Sequence, residues 1–390
     1  MNNNHFAIAR YLRYQGFDAH VLLFDDEYSH FLPSCDTYSL DYMSFCHQLS
    51  WGSQQRFLST SKKQINSDLE QYNVLIGCGP AAAYCNKAGL RLDIFIPYGG
   101  DILDITYYTI VSPKRILSFW YTAYMQKKGI KKSIVFHMPY QNEFFEKQYD
   151  KYKGESKRWL TFTPIVFAPE YESEKLNNNF SKTHWGYEFK RVRESSDLII
   201  MHHTRIVWGG KKSDPNQKGT EKLIYGFHKF ISQHPYHRTK LVILEYGSDV
   251  LKTKNLISAL SLDDYVKWFP SMLRKDIMVG LTMSDIVCAE FENSWIYSGV
   301  IAEALVAGKP ILGYRDDNLY LKNYPDLYFI MNANSADSIC NQLNKYISNP
   351  DKYKKKGKEG KFWYEKNVVN PSVKKYIDYI NARGKEPSIL

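Results

Sequence analysis

Short apolar runs alternate with longer segments of helical spacing along most of the chain. In DLIIMHH (Asp197–His203) the apolar positions are continuous, as in a strand covered on both faces. A polar loop, WGGKKSDPNQKG, follows it. TEKLIYGFHKFISQH then sets Leu223, Ile224, Phe227, Phe230 and Ile231 on one helical face. KLVILE (Lys240–Glu245) is a second buried-type strand and ends at Tyr246-Gly247-Ser248. NLISALSL and MLRKDIMVGL are helical, with the short strand VKWF between them. DIVCAEF is a strand, YSGVIAEALVAG a helix closed by Gly308, and PILGY a strand. LYFI and SADSICNQLNKYIS continue the alternation. Strands separated by helices of about 10–15 residues predict βαβ units and a parallel sheet.

The first half follows the same rule. HFAIARYLRYQG is a helix stopped by Gly16, with Asn4 as its expected N-cap. AHVLLF and NVLIG (Asn73–Gly77) are strands. PAAAYCNKAG is a helix ending at Gly89, and LDIFIP (Leu92–Pro97) a strand. PKRILSFWYTAYMQKKG is a helix ending at Gly129, and SIVFHM a strand. The polar stretch Tyr171–Thr183 reads as a linker. The expected division is 1–185 for a first domain with its linker and 186–360 for a second. A helical tail at 361–390, interrupted near Pro371, packs back on the first. Two doubly wound Rossmann-like α/β domains of this kind face a cleft, with ligands at the carboxyl ends of the strands.

Composition narrows the class. With 390 residues, 44% apolar and 15% aromatic, the chain is neither disordered nor too short for two cores. Lys+Arg 51 against Asp+Glu 41 leaves a net charge of +10, which favours an anionic partner without choosing one. Cys35, Cys46, Cys78, Cys85, Cys288 and Cys340 show no C-x-x-C spacing, so neither zinc nor a disulfide frame is expected. A reducing cytoplasm fits them. No apolar run is long enough to span a membrane, and the start lacks signal-peptide form.

Several chemistries lack their motif. There is no P-loop, no G-x-G-x-x-G after a strand and no G-x-S-x-G elbow. The adjacent pairs Asp25-Asp26, Asp263-Asp264 and Asp316-Asp317 suit no shared metal, since neighbours on a strand point to opposite faces. His202-His203 reads as structural. Three places remain. Arg205, just after a strand, and Lys218, before a helix capped by Thr220, would suit a diphosphate; a solvated basic loop with Lys211 and Lys212 is the alternative. Glu303 lies on a helix opened by Ser298 and Gly299, in a segment poor in charge, where a carboxylate needs a partner. Gly247 ends a strand where backbone can approach a ligand. In the first half, IGCGP (Ile76–Pro80) and PYGGD (Pro97–Asp101) end strands in glycines, as loops or as turns.

The run HHTRIVWGGKKSDPNQKGTEKLIYGFHKF, the strand end LVILEYGSD and above all SGVIAEALVAGKPILGY resemble the nucleotide-sugar domain of GT-B glycosyltransferases of the family-4-like group. The resemblance covers Asp197 to Tyr314. GCGPAAAY and LDIFIPYGGD are similar to acceptor-domain loops of bacterial surface-polysaccharide enzymes. The resemblance implies that Arg205 and Lys218 bind the donor diphosphate and replace a metal, so no cofactor is expected. It implies that Glu303 holds the ribose and that Ser298, Gly299, Val300 and Gly247 line the donor. Asp101 would be catalytic, with Gly99, Gly100 and His5 on the acceptor side. It implies a retaining, hexosyl-type transfer from a nucleotide-sugar to a glycan or lipid-linked acceptor, and no nucleic-acid partner.

Two positions depart from that pattern. The family usually carries a first Glu eight residues before the second; here Trp295 stands there, with Glu290 and Glu292 out of register. Met1 runs directly into Asn2-Asn3-Asn4-His5, which looks like the loop after the family's first strand, so that strand is expected to be lacking and to leave a groove in the sheet. A GT-B sugar-nucleotide epimerase and an inactive sugar-nucleotide-binding module are the alternative readings. Tyr107, Tyr108, Phe119, Trp120, Tyr121 and Tyr124, interleaved with Lys114, Arg115, Lys127, Lys128, Lys131 and Lys132, suit the anionic inner face of a membrane; a buried aromatic face with solvated lysines is the alternative.

Overall fold

A computed structural model of the chain describes residues 4–27, 31–105, 116–141, 143–210 and 216–383. Tyr107, Tyr108, Lys114 and Arg115 lie outside the described residues, as do Asn2, Asn3, Lys211 and Lys212. The fold is α/β with parallel sheets, in two compact units. The first comprises residues 1–34, 39–167 and 366–390, the second 35–38 and 168–365. The chain therefore enters the second unit at Ala168, where the sequence reading placed the boundary near 185. The polar stretch 171–183 belongs to that unit and holds the short helix Ser173–Asn178.

The first unit contains β1 (Val21–Leu23), β2 (Cys46–Gln48), β3 (Ile76–Gly77), β4 (Ile94–Phe95), β5 (Val135–His137) and β6 (Lys157–Trp159). They form two separate parallel sheets, β1-β2 and β3-β4-β5-β6. Phe57, Tyr84, Phe95 and Phe136 are fully buried in its core. The helix Ala81–Ala88 ends as expected at Gly89, which takes a left-handed φ of 87°. The helix Ile116–Lys132, in contrast, runs through Gly129. A Cβ at Gly129 would run into the carbonyl of Ala82, so this glycine serves a close helix crossing and not a stop. Asn4 is the first residue of its helix rather than a cap. The tail helix Asn370–Arg383 bonds within this unit, through Tyr376 to His137 at 2.7 Å and Tyr379 to Asp93 at 2.8 Å.

The second unit contains β7 (Leu198–His202), β8 (Thr239–Glu245), β9 (Val266–Pro270), β10 (Ile286–Cys288), β11 (Ile311–Gly313) and β12 (Met331–Asn332). All pairs are parallel, in the order β12-β11-β10-β7-β8-β9. Read from β9, the strands of this unit rank 3-2-1-4-5-6, the doubly wound order whose direction reverses beside β7. The apolar face of the helix Thr220–Gln233 packs Leu223, Ile224, Phe227 and Phe230 against β7 and β8 residues. The strand expected at LYFI is displaced to Met331–Asn332.

Candidate functional site

Both βα connections that flank the reversal in the second unit carry charge. After β7 come His203, Thr204 and Arg205; after β10 come Ala289 and Glu290. Backbone bonds tie the connections together. Lys218 N–H donates to the Val207 carbonyl at 2.7 Å, and Phe291 N–H to the Lys218 carbonyl at 2.9 Å. Gly219 then turns the chain into the helix Thr220–Gln233 with φ 68°. Gly219, not Thr220, is the N-cap; Thr220 lies inside the first turn, with its hydroxyl 3.3 Å from His202 Nε2.

This route buries most of the Lys218 side chain. Its ammonium meets Glu290 Oε1 at 2.7 Å, and both side chains are largely buried. Burial pushes the Glu290 carboxyl above its ordinary range, and Lys218 and then Arg205 pull against that rise. Trp295 lies on the same cation, its ring centroid 5.7 Å from Lys218 Nζ. Arg205 is exposed and donates to Asn216 at 3.1 Å. Gly247 is held against the residue next to Arg205: Ile206 N–H donates to the Tyr246 carbonyl at 2.7 Å. With φ 127°, a Cβ on Gly247 would land on the Ile206 backbone.

Glu303 is the centre of a second cluster. The helix Gly299–Val306 is capped by Ser298, whose hydroxyl accepts from Ile301 N–H at 3.4 Å. One turn on, Glu303 Oε2 accepts from His203 Nε2 at 2.8 Å and Oε1 from Arg274 Nε at 2.8 Å. Arg274 Nη1 also reaches Asp36 Oδ2 at 3.2 Å, and the Tyr171 hydroxyl donates to the other oxygen of Asp36. Burial raises the Glu303 carboxyl, but Arg274 and His203 outweigh it and hold the group below its usual range. Space stays open at the helix start: a Cβ on Gly299 would meet nothing within 4 Å, and Val300 is half-buried.

In the first unit, Asp101 is fully buried. Its carboxylate accepts from the backbone N–H groups of Gly79, Tyr98 and Gly99, each at 3.1 Å. It thereby clips together the two glycine loops that the sequence singled out. Gln126 braces the clip, donating to the Gly79 carbonyl at 2.8 Å and accepting from Ala83 N–H at 2.9 Å. Burial pushes Asp101 up to about 7, the backbone donors notwithstanding. Gly99 needs its φ of 117° to open the short helix Gly100–Leu103. Among the described residues neither buried ring nitrogen of His5 has a hydrogen-bond partner, and burial lowers it to about 4.

The structure thus gathers Lys218, Arg205 and Gly247 at one place, and Glu303 with Ser298 and Gly299 at another on the same unit. Sequence reasoning missed Arg274 and Asp36, and set Glu290 and His203 aside. Only the demand that Glu303 find a partner pointed toward Arg274 and His203; no signal in the sequence pointed to Glu290 or Asp36.

Residues 212–363 match the family described as "Glycosyl transferases group 1". The comparison with curated proteins found no match. Among solved structures, the chain is similar to Anabaena HepE in complex with UDP-glucose, with a TM-score of 0.61 at 13% identity over 98% of this chain and 95% of that one. A glycosyltransferase from Rickettsia africae matches with a TM-score of 0.54 at 14% identity, covering 99% and 95% of the two chains. Sucrose-phosphate synthase from Thermosynechococcus elongatus matches with a TM-score of 0.55 at 10% identity, covering 96% and 91%. Residues 212–363 are thus similar to the group 1 glycosyl transferases, and the chain shares the GT-B fold of these structures.

Proposed function

We propose that the protein moves a hexosyl group from a nucleotide-sugar donor to a glycan or lipid-linked acceptor in surface-polysaccharide synthesis, with retention of configuration. The observation that carries this reading is the pair of cations, Arg205 and Lys218, acting on one spot at the point where strand order reverses. In the transfer, the bond from the anomeric carbon to the diphosphate breaks and a bond to the acceptor oxygen forms. The acceptor proton leaves with the nucleoside diphosphate. The charge that develops on the leaving group is met by Arg205, by Lys218 and by the amides at Gly219 and Thr220, so the reading calls on no metal. Glu303, kept ionised by Arg274, is the acceptor for the ribose hydroxyls; each carboxylate oxygen retains a lone pair beyond its present bond. Ser298, Gly299 and Val300 leave room for the phosphates and sugar. Asp101 with Gly99 and Gly100 shapes the acceptor loops of the first unit.

HepE binds UDP and UDP-glucose, so UDP-sugars are the first donors to test. Arg205→Ala and Lys218→Ala should each lower donor turnover about 10- to 150-fold, the worth of a charge-assisted phosphate contact; exposed Arg205 can go with an unchanged melting temperature, whereas Lys218→Ala also strips buried Glu290 of its partner and should lower it. Unchanged kinetics in both variants would remove them from the site. A sugar epimerised without acceptor would favour the epimerase reading.

A membrane-bound acceptor draws support from the helix Ile116–Lys132. Its buried face is small and polar, with Ser118, Thr122, Ala123 and Gln126. Its aromatic face is exposed: Leu117 at 68%, Tyr124 at 53% and Trp120 at 44%. Lys128, Lys131 and Lys132 are exposed at its end. Among the described residues no helix is long and apolar enough to cross a membrane. An apolar-aromatic stripe ending in lysines suits attachment at an anionic surface, at about 1 kcal/mol per lysine. The expected result is salt-sensitive sedimentation with acidic liposomes, weakened by Lys127/Lys128/Lys131/Lys132→Gln. Protein that stays in the supernatant at low salt would point to a soluble acceptor.

A further inference from the structure

The ammonium proposed above for the donor diphosphate is already engaged: Lys218 Nζ sits 2.7 Å from Glu290 Oε1. The pair is neutral as a whole and offers no net charge to an incoming anion. An oxygen that takes another hydrogen of this ammonium comes within roughly 4–5 Å of Oε1, by the tetrahedral geometry of the group. Negative oxygens would then crowd one cation in a largely buried setting, where like charges repel far more strongly than in water.

Glu290 is held in place. Its side chain is 9% exposed and that of Lys218 12%. Tyr314 N–H donates to the Glu290 carbonyl at 2.8 Å, and Phe291 N–H to the Lys218 carbonyl at 2.9 Å. A Cβ on Gly219 would meet the Glu292 nitrogen at 3.0 Å and the Phe291 carbonyl carbon at 3.1 Å, so the two connections lie against each other. What can change is the charge of the carboxyl. Oε2 is buried with no hydrogen bond among the described residues. A proton there breaks no existing contact and creates an O–H donor that the anion lacks.

The groups around Glu290 set the direction. Burial raises its carboxyl; Lys218, Arg205 and the Trp295 indole act against that rise. The two cations are the ones that a diphosphate engages. On the β11 side Arg315 is committed to Asp317 at 2.5 Å and to the Tyr328 carbonyl at 2.9 Å. Lys222 and Glu292 pair with each other at 2.6 Å. Once phosphates take up Lys218 and Arg205, burial and the new negative charge both act on Glu290 in the same upward sense.

We propose that Glu290 is a donor-contacting residue: when the nucleotide-sugar binds, it takes one proton from solvent, gives up Lys218 and donates its O–H to a diphosphate oxygen. The proton returns to solvent when the nucleoside diphosphate leaves, so none is gained or lost over the cycle. This rests on the donor site proposed above, and it makes donor binding tighter on the acid side.

Calorimetric titration of the full chain counts the proton. The probes are UDP-glucose, GDP-mannose and dTDP-glucose, none of which has a group that titrates near neutral pH. Each is titrated at about pH 7.5 in HEPES and in Tris, whose ionisation heats differ. The native protein should take up between about half and one proton per donor bound, and Kd should rise by up to about tenfold per pH unit on the alkaline side. Glu290→Gln is neutral at every pH and keeps a hydrogen-bond donor in place. It should bind with no proton uptake and with a Kd independent of pH. Donor bound by the native protein with no proton taken up would overturn the proposal, whether or not the variant folds. So would an uptake that persists in Glu290→Gln, which assigns the proton to another group. Failure of the donor site itself looks different: none of the three probes binds at any pH.

Discussion

Each unit buries a carboxylate that the sequence singled out, Asp101 in the first and Glu303 in the second, and the two have opposite characters. Among the described residues Asp101 meets three backbone N–H groups and no cation. Glu303 meets Arg274 and His203. Burial acts upward on both. Backbone dipoles leave Asp101 at about 7, whereas the full charge of Arg274 holds Glu303 below its usual range. Burial alone therefore does not decide the state of a carboxylate; the charge of its partners does. The loop clip of the first unit can exist as a neutral acid near neutral pH, while the cluster of the second unit is a fixed anion facing a fixed cation.

The sharpest way to break this comparison is to remove the cation. Arg274→Ala leaves Asp36 and Glu303 buried without it. Breaking a buried ion pair from one side costs about 3–5 kcal/mol, and that loss should appear in urea unfolding at pH 7. It should shrink toward pH 4, where Glu303, raised by burial once Arg274 is gone, takes up a proton. A loss that is small and independent of pH would mean the two carboxylates are solvated after all.

The next test separates the carboxylates by pH. Between about 4 and 7 the folded chain keeps the Asp101 proton that the unfolded chain has released. Stability from this group therefore falls as pH rises through that window, by about 1.4 kcal/mol per unit. Glu303 has the opposite sign. Its contribution is full above the ordinary glutamate range and is lost as pH falls through its lower folded value. Asp101→Asn should flatten the decline between pH 4.5 and 7 and leave the acid limb in place. Urea midpoints across that range read both. An unaltered slope would show that Asp101 is already ionised in its clip.

The contrast also marks what could be read in the sequence. Periodicity located the parallel sheets, because buried strands are continuous apolar runs and the helices between them have clear faces. It failed where a residue served a neighbour and not its own element. Gly129 has the form of a helix stop, but the requirement lies in Ala82, 47 positions earlier. The short β2 and β6, CHQ and KRW, have no apolar signature of their own and exist by pairing with β1 and β5. At the site, Glu303 was legible as a charge in an apolar setting, and Lys218 as a cation between a strand and a helix. Their partners were not, since Glu290, Arg274 and Asp36 are joined to them only by the folded chain.

The smallest expected effect bears most directly on function. Glu303→Gln keeps the shape of the side chain but replaces one acceptor oxygen by an NH2 donor. The amide can still accept from Arg274. It then offers a donor to His203, which accommodates it by carrying its proton on Nδ1, an atom now buried without a partner. The fold should survive, so the substitution removes chiefly the negative charge and the spare lone pairs of Oε2. If those lone pairs receive the ribose hydroxyls, the affinity for a UDP-sugar should fall about 5- to 10-fold, the worth of one hydrogen bond. A 2′-deoxy donor, already lacking one of these contacts, should lose less in the variant than in the native protein. Equal discrimination against the deoxy donor by both proteins would make Glu303 a support for Arg274 alone, and the comparison with Asp101 would then be between two structural carboxylates.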